Sequence, residues 1–429
     1  MIYKNIILFV NSVSKTVKES VDELEKLTGI PYTIAVIADT NSYKKIQEKN
    51  SNADLIIPCN FSSSVAIETA LLPYKDAIIG TTCFGEKNIS SFKRIVPHLP
   101  YILTPSAKSL GWATNKILMR QLFAARNKKI TPKFTVITDA SDETINSIKK
   151  KVGYPLVLKP ASLASSQLVT KCYHEDEIRQ SLKKMFKRIE KFYKIERPDY
   201  EEIKIEVLVE SFMEGEMYSI DAYVDSFGEV YFCPFVHVRT GAHIGFEDFF
   251  NYQRITPTTL SKEDIEKGHY VTQEAIYALN LKNTTVHVEL MKTDSGWKVI
   301  ELGPRVGGFR HSMYELSYDI NHSLNDILIH LGKKPKLTKK VKGHTCALKF
   351  YGKTEGILKK IEGIRKINKL ESFKEVKIIR SIGEDCKFAK HGGKGVADVV
   401  LFNPDRSHLL ADVRRVEKMF KITIGTNKG

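Results

Sequence analysis

The stretch TTVHVELMKTDSGWKVIELG, residues 284–303, restricts the fold more than any other part of the chain. Two runs of alternating character flank Asp294-Ser295-Gly296, the signature of an antiparallel hairpin. Pairing symmetric about Ser295 sets Glu289 opposite Glu301 and His287 opposite Gly303. Strand alternation then turns Val286, Val288, Leu290, Ile300 and Leu302 to one face, as core, and His287, Glu289, Glu301 and Gly303 to the other. Two carboxylates directly opposed across a strand pair stand about 5 Å apart and repel. On an open sheet face they would simply be solvated. A divalent cation reverses the sign, and a pair of oxygen ligands suits Mg²⁺ or Mn²⁺, which fills its remaining positions with water and substrate phosphates. The continuation PRVGGFRHSM places Arg305 two residues past Gly303, as a counter-charge for a phosphate or oxyanion. Gly303, Gly307 and Gly308 give backbone room for a ligand to approach.

Upstream, residues 1 to about 107 alternate strand and helix: NIILFV, a helix over 15–27, YTIAVIA, ADLIIPC, and a helix over 64–72. That pattern predicts a parallel α/β unit. It lacks a GxGxxG after its first strand, so no dinucleotide site is expected there. Further helices are predicted over 115–127, about 175–195, 262–279 and 321–331, with residues 239–258 as a loop. The tail from 336 reads as a small α+β cap whose segment KHGGKGVADVV (390–400) makes a hairpin turn rather than a phosphate loop.

Two further stretches carry chemistry. YPLVLKPASLASSQLV ends an apolar strand on Lys159, and a lone lysine among apolar residues is costly unless an anion receives it. The serine-rich loop that follows offers N–H groups and hydroxyls to phosphate oxygens; a snorkelling lysine over an ordinary loop is the plainer alternative. EVLVESFMEGEMYSID joins a strand to an acidic turn through Glu210-Ser211-Phe212-Met213, a hinge able to present backbone groups and apolar cover to an adenine and carboxylates to a ribose.

Taken in order, TNKILMRQLFAARNKKITPKF, YPLVLKPASLASSQLV, VLVESFMEGEMYSIDAYV and VHVELM…WKVIELGPRVGG resemble the ATP-grasp superfamily, which includes biotin carboxylase, D-alanine–D-alanine ligase and the L-amino-acid ligases. The resemblance implies an α/β and α+β ATP-grasp fold. A Rossmann-like pre-ATP-grasp domain would span 1–107, the ATP-grasp domain 108–335 with a lid at about 134–209, and the α+β cap 336–429. It implies ATP as cofactor, with Lys116, Lys159, Ser165 and Ser166 at the phosphates, Glu210, Ser211, Phe212 and Met213 at adenine and Glu216 at ribose. Glu289 and Glu301 would hold Mg²⁺ or Mn²⁺, and Arg305 would act in catalysis. The implied reaction phosphorylates a carboxylate and passes the acyl group to an amine. Non-catalytic ATP binding is the alternative. Arg239, His243, Gly307, Gly308 and Arg310 are candidate substrate contacts. The sequence departs from the family at Gly303, where Asn often serves as a third metal ligand, and at Asn115, where Asp often precedes the lysine.

Composition sets the remaining bounds. With 429 residues, 42% hydrophobic, the chain has material for several domains. Apolar runs fall well short of the roughly 20 residues a membrane helix needs, and no signal peptide is evident. Six single cysteines without CxxC spacing favour the cytoplasm over a disulfide scaffold. The net charge of +16 raises nucleic acid as a partner. Its bearers are mostly lysines interleaved with acids, which favours a generally Lys-rich surface over a nucleic-acid groove; the small-molecule carboxylate and amine substrates are what the resemblance implies. A homodimer is compatible with this reading.

Overall fold

The structure, a computed structural model, describes residues 3–40, 52–161, 168–196, 205–246 and 248–425. β1 (Ile6–Val10), β2 (Thr33–Asp39), β3 (Leu55–Cys59) and β4 (Ile78–Thr82) form a parallel sheet in the order β3-β2-β1-β4. Both faces are covered. Ile6, Leu8 and Val10 pack toward the helices Ser64–Leu71 and Ile89–Ile95, whereas Ile7 and Phe9 pack on Val17, Val21 and Leu24 of one helix and Leu324, Ile327 and Leu328 of another. This double burial is why the strands read as unbroken apolar runs.

β5 (Phe134–Ile137), β6 (Leu156–Pro160), β7 (Thr170–Cys172) and β8 (Val207–Ser211) build an antiparallel sheet in the order β5-β8-β6-β7. Ile145 and Ile148 of the helix Asp142–Lys151 cover one face together with Ile178 and Leu182 of the helix Glu175–Glu196.

The third sheet is the largest among the described residues. It comprises β9 (Glu216–Val224), β10 (Val230–Phe232), β11 (Val236–Thr240), β12 (Asn251–Thr256), β13 (Thr284–Thr293), β14 (Gly296–Gly303), β15 (His344–Phe350), β17 (Phe373–Ile378) and β19 (Ala397–Asn403). Its order is β14-β13-β9-β11-β12-β15-β19-β17, with β10 paired to β9. Strands from beyond residue 336 thus continue the sheet that carries the glutamate hairpin. β16 (Gly356–Glu362), β18 (Asp385–Cys386) and β20 (Lys421–Gly425) form a small separate sheet.

Three local expectations are corrected. Residues 239–258 are not one loop, because β12 runs through them; NYQRIT looks loop-like because Gln253 and Arg254 are polar, yet both are buried. Residues 390–400 do not turn a hairpin: β18 pairs with β16 and β19 with β15, so the segment crosses between two sheets. Ile300 is not core. The hairpin closes with Thr293 opposite Gly296, one residue tighter than symmetry about Ser295, and a bulge between Glu289 and Leu290 absorbs the difference. Trp297, Val299 and Leu302 enter the core with Val286, Val288 and Leu290, and Ile300 turns to a cavity. The bulge also restores the pairing of Glu289 with Glu301 and of His287 with Gly303. No helix among the described residues is long and apolar enough to cross a membrane.

Candidate active site

A cavity of about 860 Å³ lies between the β5–β8 sheet and the large sheet, and residues from all three regions of the chain line it. At one wall Glu289 and Glu301 face each other across β13 and β14. Lys116, the first residue of the helix Lys116–Arg126, puts Nζ 3.5 Å from Glu301 Oε1. That helix starts cleanly because the Asn115 side chain accepts from the N–H groups of Ile117 and Leu118, a role Asn fills as well as Asp. The Asn251 amide donates to Glu289 Oε1 at 3.0 Å, and His287 Nε2 lies 3.8 Å from the same oxygen. Burial pushes the Glu289 carboxyl up, but its contacts with His287 and Asn251 and the charge of Arg254 outweigh that and hold it at about 2.

Behind this wall sits Asp221, fully buried on β9 and not singled out by sequence reasoning. Its carboxylate meets His287 Nδ1 at 2.6 Å and His322 Nε2 at 2.8 Å, accepts the Gly307 N–H at 2.7 Å, and lies 3.5 Å from Arg310 Nε. Burial pushes Asp221 up, and the two histidines draw it well below the ordinary carboxylate range. A buried anion with three hydrogen-bond partners and a guanidinium beside it fixes the His287 ring and the glycine loop together. The signal available in the sequence was an acid inside the apolar strand MYSIDAYV.

Opposite, Lys159 and Arg120 both grip the buried Glu210: Lys159 Nζ at 2.6 Å from Oε2, and Arg120 through Nε to Oε1. Burial raises Glu210, but the two cations prevail and hold it at about 2. Its side chain is therefore engaged in an ion triad, and Glu210 lines the cavity beside Ser211, Phe212 and Met213. Arg120 further donates to the carbonyls of Val299 at 2.7 Å and Ile300 at 2.5 Å, bracing the hairpin bulge.

The other candidates divide. Ser211, Phe212 and Met213 line the cavity, with the Ser211 and Phe212 N–H groups bonded to the Lys133 and Pro155 carbonyls. Glu216 is not among the lining residues and accepts from Tyr218 Oη at 2.7 Å, whereas Glu214 does line the cavity. Arg239 is also absent from the wall. His243 lines it with Nδ1 held by Thr240. Gly308 faces open space, but a Cβ on Gly307 would stand 2.4 Å from His287 Nδ1, so Gly307 serves packing on Asp221. Arg310 is 1% exposed, and its side chain is engaged by Asp221, Ser219 and the Gly308 carbonyl. Arg305 donates through Nε to Glu86 Oε2 at 2.7 Å. Burial lowers its pKa and Glu86 more than offsets this, leaving it above the ordinary arginine value. Ser165 and Ser166 lie outside the described residues.

Residues 152–313 match the family model described as an ATP-grasp domain. The chain carries an ATP-grasp domain. Its whole architecture overlays the L-amino acid ligase from Bacillus licheniformis with a TM-score of 0.79 at 16% identity, covering 99% of this chain and 100% of that one. The N5-carboxyaminoimidazole ribonucleotide synthetase from Thermotoga maritima overlays at 0.69, again at 16% identity, over 98% and 100% of the two chains. By sequence, the chain is 25% identical over 276 residues to the uncharacterized protein y4rH of Sinorhizobium fredii (strain NBRC 101917 / NGR234), and 28% identical over 246 residues to a D-alanine–D-alanine ligase of Thermoanaerobacter sp. (strain X514). These alignments take in 64% and 54% of this chain but 53% and 63% of the relatives, so the chain spans little more than half the length of the curated relatives it matches.

The residues of the acidic wall fit a divalent cation. Glu289 is held ionised, Glu301 faces it, and both open to the cavity. No group of three or more His, Cys, Asp or Glu among the described residues would hold a metal alone.

Proposed function

We propose that this chain is an ATP-dependent ligase that activates a carboxylate and joins it to an amine. The observation carrying this reading is the convergence of an opposed glutamate pair, two lysines, Arg305 and a strand hinge on one cavity. Ser211 to Met213 would border the adenine and Glu214 the ribose, with Lys116 and Lys159 toward the phosphates. Glu289 and Glu301 would hold Mg²⁺ or Mn²⁺, which supplies charge neutralisation at the phosphate oxygens when bound. A substrate carboxylate oxygen attacks the γ-phosphorus, and ADP leaves. The amine nitrogen then attacks the acyl carbon, the C–O bond to phosphate breaks, and the amine gives up a proton. Arg305 would offset the negative charge that builds at the acyl oxygen. Six free, buried cysteines among the described residues support a reducing, cytoplasmic location.

Release of phosphate and ADP across a panel of amino-acid pairs and small carboxylates, with ATP and Mg²⁺, tests the proposal. Release that needs both acid and amine, and that Glu301→Gln abolishes, supports it. A second reading, ATP binding without turnover, draws on the engagement of Arg305 by Glu86 and on Gly303 in place of a third ligand. It predicts ATP binding with no release from any mixture.

A further inference from the structure

Five glutamates among the described residues line the cavity, and four of them are accounted for. Arg120 and Lys159 grip Glu210, Glu289 and Glu301 face each other as the candidate metal pair, and Glu214 stands at the hinge beyond β8. The fifth, Glu86, comes from the parallel sheet. It follows β4 and Gly85, whose φ of 88° turns the chain, and it opens the 3₁₀ turn Glu86–Asn88. Asn88 is buried and braces this turn, donating to Ser12 Oγ at 2.8 Å and to the Phe84 carbonyl at 2.7 Å. The Glu86 side chain is therefore presented to the cavity from a fixed loop.

Its two oxygens differ. Oε2 accepts from Arg305 Nε at 2.7 Å, in the corner that a side chain at position 303 would fill. Oε1 has no hydrogen-bond partner among the described residues, and the side chain is 37% exposed, enough to exchange a proton with water. A carboxylate with one oxygen engaged and the other open thus stands against the arginine assigned to the acyl oxygen. Amide formation needs such a group. At neutral pH an amine arrives mostly as an ammonium, which has no lone pair with which to attack.

We propose that Glu86 is the general base that frees the attacking amine. The inference rests on reading the cavity as a ligase site. Glu86 Oε1 takes one proton from the ammonium, and the lone pair so released forms the C–N bond at the acyl carbon. The C–O bond to phosphate then breaks with its electron pair on the phosphate, which carries off the second proton that the nitrogen gives up. Glu86 returns its own proton to water. The Arg305 contact keeps the carboxylate aimed at the reacting carbon through Oε2. His243, which lines the cavity from the turn after β11 with Nδ1 held by Thr240, is the rival base.

Two acceptors separate the base from the rest of the site. The acid most active in the phosphate-release panel is offered, with ATP and Mg²⁺, either its amino-acid amine or hydroxylamine, which is mostly uncharged at neutral pH and attacks without a base. Glu86→Gln keeps an acceptor for Arg305 but takes no proton. It lowers amide formation by about a hundredfold or more and hydroxamate formation by less than about tenfold. Glu86→Asp, which keeps a carboxylate, shows a smaller loss with the amine, and His243→Gln treats the two acceptors alike. Melting temperature and affinity for a non-hydrolysable ATP analogue report folding separately, and the aspartate variant carries the comparison if the glutamine variant does not fold. Equal losses with both acceptors, no loss with either, or an amine-selective loss in His243→Gln instead overturns the base. An unaltered protein that makes neither amide nor hydroxamate from any acid overturns the ligase reading itself, and the base with it.

Discussion

The Glu86 carboxylate occupies the place a side chain at position 303 would need: its Oε2 lies 3.0 Å from where a Cβ on Gly303 would stand. The same oxygen accepts from Arg305 Nε at 2.7 Å. Glu86 follows Gly85 just beyond β4, so the carboxyl end of the parallel sheet delivers an acid into the gap that Gly303 leaves. Gly303→Asn therefore competes with Glu86 for one space. Because the obstacle is the tip of a flexible side chain, the variant should fold, with stability changed by no more than about 1 kcal/mol. It should also bind Mn²⁺ more tightly by adding an oxygen ligand beside Glu301. Thermal melts and Mn²⁺ titration by electron paramagnetic resonance decide; unchanged Mn²⁺ affinity would falsify the idea that a side chain at this position reaches the metal.

The Glu210 triad makes a prediction about acid. Glu210 and Glu289 both titrate at about 2 in the fold against an ordinary 4.5. Folding thus favours their ionised forms, and the stability they contribute is complete above about pH 4.5 and is lost as pH falls through about 2. Urea midpoints should decline across that window. Glu210→Gln should flatten the decline, and at neutral pH should cost ~3–5 kcal/mol, because it leaves Arg120 buried with a neutral partner.

Adjacent glycines should behave in opposite ways. Gly308→Ala meets open space and should alter stability by no more than about 0.5 kcal/mol. A Cβ on Gly307 would press on His287 Nδ1 at 2.4 Å and Asp221 Oδ1 at 2.9 Å, displacing the histidine beside Glu289. Gly307→Ala should lose ~1–3 kcal/mol and weaken metal binding by about tenfold. Equal melting temperatures for the two variants would contradict this assignment.

Glu214 and Glu216 offer a similar contrast at the nucleotide end. Only Glu214 lines the cavity, while Glu216 is hydrogen-bonded by Tyr218. Loss of a charged contact to a ribose hydroxyl corresponds to about fivefold or more in affinity, so Glu214→Gln should weaken ATP binding by that factor and Glu216→Gln by less than twofold. A reversed order, read by fluorescence titration with a labelled ATP analogue, would return the ribose to Glu216.

Residues whose role depends on strand alternation were legible in the sequence; those whose role depends on distant partners were not. The facing of Glu289 and Glu301 follows from a hairpin, and the covered parallel sheet from apolar runs such as NIILFV. The ion triad of Glu210 was not legible because its partner Arg120 lies 90 positions away, on the helix Lys116–Arg126. Asp221 gathers His287, Gly307, Arg310 and His322 from up to 101 positions along the chain, a convergence no local pattern encodes. Ile300 was misplaced because a bulge and a tight turn leave offsetting traces in the sequence. Arg254 was read as loop because burial of a charge is the outcome alternation is least able to foresee.

Arg120 joins Glu210 on β8 to the Val299 and Ile300 carbonyls on β14. The β5–β8 sheet and the glutamate hairpin therefore share a fixed point inside the protein. Lys159 shares Glu210 with Arg120, so the lysine, the small sheet and the hairpin are tied to one another through a single buried knot of charge.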